Sequence, residues 1–92
     1  MTYKQQQTTQ NSFRREFSKD VETTELIWHR DKKDRKMNII EGVGWMIQFD
    51  NAIPVELTKG KELVIPKMVY HRLWRGTTNL IIDIQESESD GI

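Results

Sequence analysis

No cysteine occurs in the 92 residues, which excludes a disulfide framework, a thiolate metal cage and a cysteine nucleophile together. An excess of one charge is missing too. Fourteen Lys and Arg balance fourteen Asp and Glu, so the electrostatic footprint of a dedicated nucleic-acid binder, or of a protein that docks on anionic membranes, is absent. No apolar run approaches the roughly 20 residues needed to span a bilayer, and the first twenty positions carry no apolar signal core. The expectation is a cytoplasmic protein with neither nucleic acid nor membrane among its partners. Helical periodicity is also lacking, since nowhere between positions 21 and 85 does an apolar spacing of 3.6 last for three turns. No Ser or Thr stands beside a His in a nucleophile elbow. Gly42-Val43-Gly44 runs into strand-like sequence rather than into the helix that a phosphate cradle requires.

What is present is short alternation broken by turn residues. Apolar and polar residues alternate over 23–31, 36–41, 45–49, 68–74 and 79–84, and Leu63-Val64-Ile65 reads as a buried strand stopped by Pro66. Lys32-Lys33-Asp34, Gly42-Val43-Gly44, Asp50-Asn51, Lys59-Gly60-Lys61 and Arg75-Gly76-Thr77 supply the turns. This pattern predicts an all-β domain over 21–85, closed into a small barrel or jelly roll because an open sheet would leave unprotected edges. Positions 1–20 begin Gln/Thr-rich and read as a flexible polar arm, with Phe13 and Phe17 one helical turn apart and able to dock on the body or on a partner subunit. Positions 86–92 read as a disordered acidic tail.

The two histidines lie in the two most patterned stretches. On a strand, His29 and Asp31 point to the same face, and a later strand can deliver His71 to complete a His-x-Asp…His set of metal ligands. Two imidazoles and one carboxylate suit Fe(II), Mn(II), Ni(II) or Zn(II); nothing implies an organic cofactor. The plain alternative is a hydrogen-bonded strand histidine with no ion. Gln48 is a candidate neutral contact in a ligand cavity. Trp28, Tyr70 and Trp74 fall on the faces opposite the histidines, which predicts a homodimer contact in a domain too small to cover everything internally.

These residues resemble the two signature motifs of the cupin superfamily, small β-barrels of jelly-roll type. The first motif is commonly G-x5-H-x-H-x3,4-E-x6-G, and here the chain reads His29-x-Asp31-x3-Arg35-x6-Gly42. Asp31 stands where a second His is usual, and Arg35 where Glu is usual. The second is commonly G-x5-P-x-G-x2-H-x3-N, and Gly60-x5-Pro66 and His71 keep that register, with Met68 replacing the middle Gly and Arg75 the Asn. The resemblance implies a cupin-like barrel with His29, Asp31 and His71 at metal-ligand positions. Arg35 cannot ligate a cation; it either pairs with Asp31 or holds a small anionic molecule. Two functions are consistent with this: a cavity binding a divalent metal, a small anion or both, whether or not as a metal-dependent enzyme, and a non-catalytic scaffold that binds a ligand or a protein.

Overall fold

Alternating side chains organise the whole molecule. The described residues of this computed structural model, 3–20 and 24–87, contain eight strands and no α-helix. The strands are β1 (Lys4–Thr9), β2 (Ser12–Phe17), β3 (Arg35–Glu41), β4 (Met46–Phe49), β5 (Val55–Glu56), β6 (Glu62–Ile65), β7 (His71–Trp74) and β8 (Leu80–Glu86), with a 3-10 turn at Thr24–Leu26. They form an antiparallel five-stranded sheet in the order β1-β2-β8-β3-β6 and a three-stranded sheet in the order β5-β4-β7. The result is a small all-β jelly-roll barrel.

The core comes from every second residue of the facing strands, as the pleat dictates. Phe13 and Phe17 of β2, Met37 and Ile39 of β3, and Leu80, Ile82 and Ile84 of β8 are buried, with Ile47 of β4 and Leu73 of β7 closing the interior from the smaller sheet. Burying a side chain of this size contributes about 1.5–3 kcal/mol. Trp45 also belongs to this core, 1% exposed, and its indole Nε1 donates to the Thr78 carbonyl at 2.6 Å, so its one polar atom is satisfied. Gly76 lets that indole pack: a Cβ there would stand 2.3 Å from the Trp45 ring and 2.3 Å from the Val43 carbonyl oxygen.

Three expectations change. Residues 4–17 are a β-hairpin rather than a flexible arm. Its second strand pairs with β8 from Ser12↔Gln85 to Phe17↔Leu80, and Phe13, Arg15 and Phe17 all point inward and are buried. The spacing of the two phenylalanines is thus two strand repeats and not one helical turn. The second change concerns 23–31, where the ladder shrinks to a single bridge, His29↔His71. Glu25 and His29 touch each other; residues four apart on an extended strand would be about 13 Å apart, so the chain must bend, as it does at Thr24–Leu26. Residues 21–23, part of that expected strand, lie outside the described residues, as do 88–92 of the expected tail. Thirdly, the strand expected over 68–74 starts only at His71. Met68 has φ 64°, a left-handed conformation that breaks a strand and that glycine adopts without penalty, which is a physical reason for the glycine common at that point of the motif.

Candidate metal centre

His29 and His71 are brought together by the backbone itself. The amide of His29 donates to the His71 carbonyl at 3.0 Å, and the amide of His71 returns a bond to the His29 carbonyl at 2.9 Å. The paired residues send their side chains to the same face, and the ring centroids are 4.3 Å apart at 61°. Asp31 follows two residues on, with its carbonyl accepting from the Met68 amide at 2.7 Å. Candidate ligand atoms of His29, Asp31 and His71 all lie within 4.8 Å of one another.

Each imidazole is fixed in orientation by a backbone carbonyl. His29 Nδ1 lies 2.8 Å from the Ile27 carbonyl and His71 Nδ1 lies 2.9 Å from the Val69 carbonyl. A carbonyl can only accept, so both Nδ1 atoms carry hydrogen and both Nε2 atoms are turned to the site, the arrangement typical of histidines that ligate metals. Asp31 Oδ2 is 3.4 Å from His71 Nε2. Two ligands sharing one ion at about 2.1 Å each stand roughly 3.0–3.4 Å apart, so this separation fits a common ion. Asp31 Oδ2 and His29 Nε2 are both buried without a hydrogen-bond partner, a state that is costly unless something satisfies them.

Sequence reasoning missed Glu25. Its Oε1 accepts from Arg15 Nη1 at 2.9 Å, and its Oε2 lies against His29 Nε2 as an ion-pair partner. Arg15 is itself buried, with its guanidinium 4.3 Å from the Tyr3 ring centre and 4.9 Å from that of Phe13, and its Nε donates to Gln5 at 2.8 Å. No spacing pattern marked it, because the bend at Thr24–Leu26 takes Glu25 out of the strand alternation that His29 and Asp31 follow.

Electrostatics set the two histidines apart. Burial disfavours charge on His29, yet the Glu25 carboxylate, the Ile27 carbonyl and Asp31 outweigh it and raise its pKa. At His71 burial prevails and, with the neighbouring His29, lowers the pKa despite Val69, Asp31 and Glu25. Glu25 is held below the usual carboxylate range: burial opposes this, but His29, Arg15 and Arg35 together overcome it.

Arg35 reaches the site as expected but is occupied there. Its Nε and Nη2 each bind Glu86 Oε2 at 2.9 Å, and its Nη1 lies 3.5 Å from Asp31 Oδ1. The guanidinium is thus paired closely with Glu86 and more distantly with Asp31. Gln48 is not brought to the site. It pairs with Arg72 across β4 and β7, on the side opposite His71 and Leu73; its Oε1 accepts from Arg72 Nε and Trp74 Nε1, each at 3.0 Å, and its Nε2 donates to the Ala52 carbonyl at 3.0 Å. Behind the histidines the barrel leaves about 20 Å³ of space, lined by Glu25, His29, Arg35 and His71 against Phe17, Met37 and other core side chains. That is room for about one water molecule or ion.

No protein-family model matches the sequence, and no curated protein matches it either. Solved structures do. A cupin-2 domain protein from Shewanella frigidimarina aligns with TM-score 0.68 at 22% identity, covering 92% of this chain and 79% of the other. This chain has the cupin fold. KdgF from Halomonas aligns with TM-score 0.68 at 16% identity over 96% of this chain and 81% of that one. A cupin domain from Bordetella pertussis gives 0.64 at 19%, covering 92% and 91%. The cupin barrel thus accounts for the placement of both motif stretches, and the departures at Asp31 and Arg35 belong to this chain's own version of it.

Proposed function

We propose that this protein binds a divalent metal ion (Fe, Mn, Ni or Zn) through Nε2 of His29, Nε2 of His71 and the Asp31 carboxylate. The observation that carries this reading is the convergence of three candidate ligands within 4.8 Å, with a buried Asp31 oxygen and a buried His29 nitrogen that have no hydrogen bond. An ion would satisfy both atoms at once. When bound, such an ion supplies Lewis acidity or redox chemistry. The chain's own groups hold and orient it: the Ile27 and Val69 carbonyls fix the imidazole tautomers, and Arg35 steadies Asp31. Because Arg35 is already bound to Glu86, a small anionic molecule would meet the open positions of the ion rather than this guanidinium.

A second reading, a non-catalytic scaffold, draws support from the interior space, which at about 20 Å³ admits no organic substrate. Metal analysis of untagged protein separates the two. Stoichiometric Fe, Mn, Ni or Zn in the wild type, absent from His71→Ala and Asp31→Asn, is the expected result. Wild-type protein that stays metal-free after reconstitution with each of the four ions would leave the scaffold reading in possession.

A further inference from the structure

We infer that Glu25 is a fourth protein ligand of the same ion, a carboxylate delivered from the 3-10 turn in place of the one that Arg35 cannot offer. The inference rests on the proposed metal site and extends it to a residue outside both motif stretches. Three observations carry it. Glu25 Oε2 lies against His29 Nε2, so the carboxylate stands beside the nitrogen through which His29 would bind an ion. Glu25 also lines the same small space as His29 and His71, and its side chain is only 14% exposed.

The third observation is how the carboxylate is held. Arg15 binds Oε1 at 2.9 Å and leaves Oε2 facing the histidine, the orienting role that outer partners play around metal-bound carboxylates. Arg15 in turn is pinned by Tyr3, Phe13 and Gln5, so the N-terminal hairpin becomes the wall that supports the ligand. Charge agrees with this role. Glu25, Asp31 and Glu86 face Arg15 and Arg35, so three carboxylates meet two guanidinium groups around the two imidazoles. A divalent cation is buried more cheaply beside two carboxylates than beside one. Sequence motifs would not reveal such a ligand, because Glu25 precedes the His-x-Asp stretch and reaches it only by the bend at Thr24–Leu26.

Co(II) is a suitable probe, because its affinity is read by calorimetry and its coordination by the visible spectrum. Wild type, Glu25→Gln and Glu25→Asp are to be titrated at fixed pH, with circular dichroism confirming that each is folded. Loss of the ligand should weaken Co(II) binding at least tenfold in both variants and change the visible bands, and Glu25→Asp should fail although it keeps the charge, being one methylene short. If Glu25 serves only as the ionic partner of His29, Glu25→Gln frees that imidazole and binding becomes equal or tighter with unchanged bands, which overturns the assignment while the metal site stands. A wild type that ignores Co(II), Ni(II) and Mn(II) overturns the metal site and Glu25 together.

Discussion

Replacing Phe17 by Ala tests whether the N-terminal hairpin belongs to the body of the protein. The side chain is 1% exposed, with its ring 5.2 Å from that of Tyr3 and 6.3 Å from that of Trp45, and its strand is in register with β8 up to Leu80. Truncation removes the transfer free energy of a buried aromatic and leaves a cavity in a wall that can collapse only partly. Such Phe→Ala changes cost about 3–5 kcal/mol. A chain of this length is stable by roughly 5–14 kcal/mol in all, so the variant should lose a large share of its stability. At about 4–8 °C per kcal/mol for a domain of this size, the midpoint should fall by some 12 °C or more. Urea unfolding followed by tryptophan emission gives the free energy, and Gln6→Ala on the fully exposed β1 is the control expected to stay within about 0.5 kcal/mol. A Phe17→Ala loss below about 1 kcal/mol would mean that the hairpin is not packed as described, and that the polar-arm reading of these residues was right.

In metal-free protein kept so with chelator, the two histidines should give stability a maximum near their ordinary pKa of about 6.5. His29, with a raised pKa, contributes stability that is complete below about 6.5 and is lost as pH rises through its folded value; His71, with a lowered one, contributes stability that is complete above about 6.5 and is lost as pH falls towards its folded value. Denaturant midpoints across pH 5–8 should therefore fall on both sides. His29→Gln should remove the alkaline limb, and a profile flat on that side in the wild type would contradict the Glu25–His29 pairing. As for association, Trp28, Tyr70 and Trp74 are 42%, 43% and 40% exposed, and the Arg72 guanidinium sits 4.7 Å from the Trp28 ring and 4.9 Å from the Trp74 ring. We propose this outer face as a homodimer contact. Light scattering should give twice the chain mass at micromolar concentration and a monomer for Trp74→Glu; a wild-type monomer rules the contact out.

The barrel was legible because its signal is local. Gly60-x5-Pro66 and His71, or Met37 and Ile39 on one face, are patterns of spacing, and spacing is what a pleated strand preserves. The convergence of His29 with His71 was legible for the same reason once a common fold supplied the register. Two things were hidden. Strand β1 is exposed at every position, so it has no apolar alternation and exists only because β2 offers it an edge. In β2 the alternation Phe13-x-Arg15-x-Phe17 is interrupted by a charge, and a buried arginine is recognisable only when Tyr3, Gln5 and Glu25 are seen around it. Glu25 itself was obscured by the bend, since a contact between residues four apart contradicts the extended pattern on either side of it.

The single backbone bridge between His29 and His71 has a consequence for how this chain reaches its fold. The two residues are far apart in sequence and meet through just two hydrogen bonds, yet the faces they present depend on pairing in one alignment alone. Sliding the segment from Val69 to Trp74 by one residue would carry His71 to the outside and turn Arg72 or Tyr70 towards Met37 and Ile47. An ion needing both imidazoles would bind only the correctly aligned chain, so its uptake would work as a proofreading step that withdraws slipped pairings from the population.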